Sequence, residues 1–284
     1  MILITDSASD ILEDEAADLR VHLVPLDIMF AGEHFTSNTH ETFDNFYRLL
    51  AERDDFPVTS QPSPEAYLEL YQKARREQEE VLVICLSGAL SGTVESARIA
   101  ADLSGWQDHI TIVDTRHAIA SQRLMVEEAA RMRDEGKSVQ EIVAHLEFLR
   151  DHIRICGVLD KLEYLRRGGR IPAGLAKVGD LLSIKAVVAV NDGAVSPVGK
   201  ARGRHAGEKR LYQEFEKHPH NPAWQITFVY SLGLKIVKEF ADAFCEHYSI
   251  DCMKTRMIQI GPTIGAHLGP DCVGLCFVTK DPVQ

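Results

Sequence analysis

Hydrophobic and polar positions change period along the chain. In the first half, short and nearly continuous apolar runs, MILIT (1–5), VHLVPLDIMF (21–30), VLVICL (81–86) and HITIVDT (109–115), predict strands. Between them lie stretches whose apolar residues recur every three or four positions. DILEDEAADL (10–19) predicts a short helix, and ETFDNFYRLLAERD (41–54) predicts a helix with Phe43, Phe46, Tyr47 and Leu50 on one face. Further helices are predicted from Pro64, over TVESARIAADL (93–103), and through LMVEEAARMRDEG and SVQEIVAHLEFLRD (124–151). Apolar strands separated by amphipathic helices imply a parallel sheet covered on both faces, with ligands expected at the carboxyl ends of its strands.

The pattern changes after about Asp151. ICGVLD (155–160) predicts a strand and KLEYLRRGG (161–169) a short helix ended by glycine, while KAVVAVNDGAVSPVGKA (185–201) places Asn191-Asp192-Gly193 between apolar runs, a hairpin signal. QITFVYSL, TRMIQIG and VGLCFVTK predict strands around the helix LKIVKEFADAFCEHY (234–248). The expected fold class is α/β in two domains: an N-terminal three-layer parallel-sheet domain over 1–152 and a C-terminal mixed-sheet α/β domain over 153–284.

A length of 284 residues suits two domains, and two domains offer a cleft between them. No apolar run approaches the roughly 18 residues of a membrane span. MILITDSASD has no basic leader region and reads as a first strand, so the chain is expected in the cytoplasm. Six scattered cysteines without a CxxC pair are expected as buried free thiols, and the Cys272/Cys276 spacing, with no partner pair, gives no zinc site. No metal and no cofactor are expected.

A net charge of −11 argues against nucleic acid as a partner. The distribution adds more. From Lys161 to Arg210 there are 11 basic side chains against 4 acidic ones, a balance of +7 in a chain whose total is −11, so the rest carries −18. Such a block marks a candidate docking surface, with solvated helix faces as the plainer explanation. RRGGR and GKARGRH are its most basic stretches, and neither belongs to a helix-turn-helix pattern.

Chemistry-bearing residues concentrate in hydroxyl-rich turns. In VTSQPSPEAYLEL, Ser63-Pro64-Glu65 is a helix start, which leaves Thr59, Ser60 and Gln61 unused beside a helix N-terminus. SGALSGT after VLVICL supplies Ser91, Gly92 and Thr93 at a strand-to-helix turn, with Ser91 a candidate helix cap. The turn lacks a Gly-Lys-Ser/Thr ending, and no Gly-x-Ser-x-Gly occurs, so neither a phosphate loop nor a hydrolase elbow is legible. TDSAS, TSQPS and LSGT are expected to converge on one sheet edge, with His267 from the glycine-rich IGPTIGAHLGP as a further candidate able to change charge near neutral pH.

Taken in order, TDSASDI, TSQPSPEAY, LSGTVESA, VDTRHAIAS, LEYLRRGGRI, LLSIKAVVAV and IGPTIGAHLGP resemble the DegV family of bacterial fatty-acid-binding proteins over nearly the whole chain. The resemblance implies one long-chain fatty acid buried between two domains. It also implies presentation of the carboxyl group to a separate ATP-dependent fatty acid kinase subunit that makes an acyl phosphate, the chain itself being no enzyme. By motif position, Thr59 and Ser91 resemble the carboxylate ligands, with Ser60, Gly92, Thr93 and His267 around the head group. The expected docking residues for the partner or a transient membrane contact are Arg170, Arg202 and Arg204. The sequence departs from the family pattern at Gly88-Ala89 and at Arg116, His117 and Ile119, which puts the tail preference in doubt. The alternatives are a stand-alone lipid carrier or sensor and, further off, a small-molecule hydrolase.

Overall fold

The computed structural model describes residues 1–171 and 184–283. Lys177 and Asp180 of the basic block, and residues 181–183 of LLSIKAVVAV, lie outside the described residues.

The N-terminal half contains β1 (Ile2–Asp6), α1 (Glu13–Asp18), β2 (Val21–Val24), β3 (Asp27–Phe30), β4 (Glu33–His34), α2 (His40–Glu52) and β5 (Val58–Ser60). It continues with α3 (Pro64–Glu77), β6 (Val81–Cys85), α4 (Thr93–Ser104), β7 (Ile110–Asp114), α5 (Ile119–Asp134) and α6 (Val139–His152). Then follow β8 (Ile153–Leu159), α7 (Glu163–Arg167), β9 (Ile184–Asn191), β10 (Ala194–Arg202) and α8 (Arg204–Lys217). The chain ends with β11 (Thr227–Tyr230), α9 (Leu234–Tyr248), β12 (Arg256–Gln259), α10 (Pro262–Leu268) and β13 (Val273–Val278).

Strands β2-β1-β6-β7 form a parallel sheet in that order. The chain leaves β1 towards β2 on one side and later returns to β6 on the other, which makes the edge above β1 and β6 a topological switch point. A second, mixed sheet has the order β10-β9-β8-β13-β11-β12, antiparallel except for β11 with β12.

Packing stacks these sheets on a shared helical layer. Tyr67 and Tyr71 of α3 and Ala97 of α4 cover one face of the parallel sheet against Ile4, Val81 and Val83. On the other face, one apolar cluster runs from Leu3, Leu82 and Ile84 through Met125, Val126, Leu146 and Leu149 to Ile155, Val188 and Val278. Helices α5 and α6 therefore serve both sheets. The far face of the mixed sheet is closed by Leu211, Phe215, Phe240 and Phe244 of α8 and α9.

Two local expectations change, and one unassigned stretch gains a structure. VHLVPLDIMF is two strands in different sheets: β2 joins the parallel sheet, whereas β3 pairs antiparallel with β4 and β5, because Pro25 interrupts the run between them. The glycine-rich PTIGAHL is the helix α10. Its Gly265 lets the helix meet α2 closely, since a Cβ there would stand 2.3 Å from Tyr47 Oη. Cys245 and Cys252, expected as free thiols, form a disulfide with Cα atoms 5.7 Å apart. The left-handed C-cap Ser249 (φ 53°) reverses the chain after α9 and brings Cys252 back to Cys245. Cys85, Cys156, Cys272 and Cys276 are free and buried. No helix of the described residues is long and apolar enough to cross a membrane.

Candidate functional site

Beyond the switch point, a cavity of about 360 Å³ opens between the two halves, within the usual range for a small-molecule site. From the N-terminal half it is lined by Thr59, Ser60 and Gln61 at the end of β5 and by Leu86, Leu90, Ser91 and Gly92 before α4. The other half contributes Leu165, Arg170, Val195, Thr263, Ile264, His267 and Leu268. A smaller apolar pocket of about 70 Å³ shares Leu90, Val195, Ile264 and Leu268 with it and continues inward along Ile119, Ile155, Gly157, Val188 and Val190. The site is thus polar at its mouth and hydrocarbon at its depth.

Thr59 is held by backbone pairing of β5 with β3, where it stands opposite Ile28. Its hydroxyl lies 3.0 Å from His267 Nε2. Burial, with the Arg170 guanidinium nearby, pushes the His267 pKa down to about 4, so the imidazole is neutral at pH 7 and does not change charge near neutrality as expected. Its Nδ1 is buried against Gly168, where a Cβ would stand 2.0 Å away, and has no hydrogen-bond partner among the described residues. In the tautomer that carries the proton on Nε2, the imidazole donates to Thr59 Oγ1, whose own O–H can then donate into the cavity; in the other tautomer Thr59 donates to Nε2.

Ser91 and Thr93 hydroxyls are 2.9 Å apart. Gly92, not Ser91, is the N-cap of α4, and Ser63, although it is the N-cap of α3, makes no capping bond through its side chain. The structure brings Thr59, Ser60, Ser91, Gly92 and His267 to one cavity, while Thr93 stands behind Ser91.

TDSAS does not reach that cavity. Asp6 closes the switch point by accepting from Leu86 N (2.7 Å), Ala8 N and Gln122, and burial raises its pKa to about 6. Ser7 bonds Thr263 Oγ1 at 2.9 Å, and Asp10 accepts from Gly261 N at 3.0 Å. Ser7 and Asp10 thus join the two halves, whereas Asp6 ties β1 to the end of β6 and to α5 within the N-terminal half.

The three arginines differ in setting. Arg170 lines the mouth, with Nε donating to Leu90 O (2.9 Å) and Nη1 to Gly168 O (2.6 Å). Arg202 ends β10 and is exposed. Arg204, expected at a docking surface, begins α8 after Gly203 (φ 80°), and its Nε donates to Glu208 at 2.8 Å beside a separate depression.

The apolar lining from β8, β9 and the start of α5 was not singled out from sequence. Its signal was present in the uninterrupted runs ICGVL and AVVAV, which need cover on both faces. Of the departures, Gly88 leaves room for Asp114, whose Oδ2 would lie 2.9 Å from a Cβ, and Ile119 lines the inner pocket at φ 53°.

A profile described as an uncharacterised protein of the DegV family matches residues 1–280. The chain belongs to the DegV family. A DegV domain-containing protein of Clostridium perfringens is 34% identical, with 99% of each chain covered. A solved DegV family protein from Thermus thermophilus, described by its fatty acid binding, superposes with a TM-score of 0.87 at 31% identity over 98% of this chain and 99% of that one. A fatty acid binding DegV family protein from Streptococcus agalactiae gives 0.85 at 25% identity, over 99% of both chains. The shared fold is a parallel sheet N-terminally and a mixed sheet C-terminally.

Proposed function

We propose that this chain binds one long-chain fatty acid between domains spanning 1–152 and 153–284, and presents its carboxyl group to a separate ATP-dependent kinase subunit in the cytoplasm. The observation that carries this reading is the cavity's gradient from hydroxyls at the mouth to aliphatic side chains at the depth. Relatives known to bind fatty acids share the fold over their whole length. At about 0.8 kcal/mol per methylene, a tail of about 14 methylenes contributes on the order of 11 kcal/mol before association costs. The tail therefore supplies affinity. Thr59 and Ser91 supply orientation, each hydroxyl–carboxylate bond contributing about 1.5–3 kcal/mol. Two neutral donors leave a carboxylate oxygen free to attack a phosphoryl donor, which a tight arginine clamp would not.

Neutral His267 serves first as the acceptor-orienting neighbour of Thr59, and Arg170, beside the mouth, is placed to meet an incoming anionic group. The chain catalyses no transfer itself.

Native mass spectrometry before and after incubation with palmitate tests the reading: one bound fatty acid per chain is expected. Thr59→Ala and Ser91→Ala should each weaken palmitate about ten- to a hundredfold without abolishing binding. Only apo protein in every sample would overturn it.

A further inference from the structure

Gln61 stands at the cavity mouth in the same run as Thr59 and Ser60, yet its side chain turns away towards α4. Its Nε2 donates to Ser96 Oγ at 2.9 Å, and Ser96 is fully buried on the first turns of that helix. Its Oε1 lies 1.9 Å from the place a Cβ on residue 92 would occupy. Gly92 has φ −73°, a conformation any residue adopts, so what makes glycine necessary here is space. The amide of Gln61 fills the notch that Gly92 leaves. Ser91 and Thr93, whose hydroxyls meet at 2.9 Å, flank that notch on either side.

Thr59 and Ser91 belong to different elements, β5 and the turn before α4, and α4 begins without a side-chain cap of its own. Gln61 is two residues from Thr59, and its amide is seated one residue from Ser91. The short path from one hydroxyl to the other therefore runs through this one side chain.

We propose that Gln61 is a positioning residue for the head-group site: by bridging β5 to α4 through Ser96 and the Gly92 notch, it sets the spacing of the Thr59 and Ser91 hydroxyls for a carboxylate. This rests on the fatty-acid reading above. A residue that only filled space would alter binding of any chain of the same length, whereas a spacer of two hydroxyls alters binding of the charged head.

The test compares palmitate with hexadecanol, which has the same tail and no carboxylate, on the parent, Gln61→Ala, Gly92→Ala and the double variant. Gln61→Ala should weaken palmitate about tenfold and hexadecanol less than about twofold, the latter showing that cavity and fold persist. Gly92→Ala should behave alike, because its Cβ evicts the amide. The double variant should be no weaker than Gly92→Ala alone, since nothing remains to evict. Equal losses for both ligands, or unchanged palmitate binding by Gln61→Ala, overturn the inference. If the parent binds neither ligand, the fatty-acid reading falls, and the contact is judged by urea unfolding of the same four proteins. Gly92→Ala should then destabilise the parent but not Gln61→Ala, and additive losses would overturn the contact.

Discussion

His117 and His267 are both kept neutral by burial, with pKa values pushed down to about 4. His117 is 4% exposed, and its Nε2–H donates to Arg150 O at 2.9 Å, tying the turn after β7 to the end of α6. Its folded pKa lies below the ordinary 6.5, so between about pH 4 and 6.5 the unfolded chain holds the extra proton. Stability from His117 is full above that window and is lost as pH falls through it. Asp6 acts in the opposite sense: its pKa is raised to about 6 by burial, so its contribution is present at acid pH and lost as pH rises through 6. The parent's own profile therefore mixes both, and a variant isolates one. The stability gap between the parent and His117→Gln, measured by urea unfolding, should widen by up to about 3 kcal/mol from pH 4 to 6.5 and stay flat above pH 7. A gap independent of pH would show that His117 is not buried neutral.

Among the elements, the β9–β10 hairpin reaches across to the N-terminal half through its tip. Asp192 (φ 47°) and Gly193 (φ 78°) make its tight turn, as Asn191-Asp192-Gly193 predicts. The tip is docked as well as turned: Ser87 Oγ donates to Gly193 O at 2.7 Å, and Arg116 stands 3.8 Å from Asp192. Val190 and Val195, on the two strands, line the inner pocket below. A Cβ on Gly193 would meet Ser87 Oγ at 2.4 Å, whereas one on Gly32, with a similar φ of 82°, meets nothing within 4 Å among the described residues. Both alanine variants share the left-handed backbone cost of about 1–2 kcal/mol. Only Gly193→Ala adds the clash, so it should be the more destabilising in urea and should also weaken palmitate binding. Equal losses at the two sites would show the tip to be undocked.

For the whole molecule, the +7 segment contrasts with its acidic remainder, but its arginines do not all face outward. Arg204 is committed to Glu208, Arg170 to two backbone carbonyls at the mouth, and Arg202 is exposed. Charge reversal should separate these roles. Arg204→Glu should cost stability through like charge beside Glu208, whereas Arg202→Glu should fold and bind palmitate as the parent does. Kinase-dependent phosphorylation or liposome exchange should fall in Arg170→Glu and Arg202→Glu, and the parent's rates should decline as salt rises. Unchanged rates in both variants would remove the basic segment from docking.

Much of the architecture was already legible in residue periodicity. The runs MILIT, VLVICL and HITIVDT became three strands of the parallel sheet, and Phe43, Phe46, Tyr47 and Leu50 became the buried face of α2. These follow from local rules, since a period of 2 or 3.6 is written within a dozen residues. Tertiary structure decided what depends on approach between distant segments. His267 meets Thr59 across 208 residues, and Ser7 meets Thr263 across 256. PTIGAHL is a helix despite the poor helix propensity of glycine, and Gly265 leaves the room in which α10 packs against Tyr47. The same holds for His267, whose charge state follows from burial that no local pattern records, and for the head-group turns, where Thr59 and Ser91 reached the cavity while Ser7 of TDSAS was drawn into the joint between the halves. All three turns carry hydroxyls and look alike as sequence; each finds a hydroxyl or imidazole partner, and which of them also lines the cavity is set by the distant segments that folding packs against it.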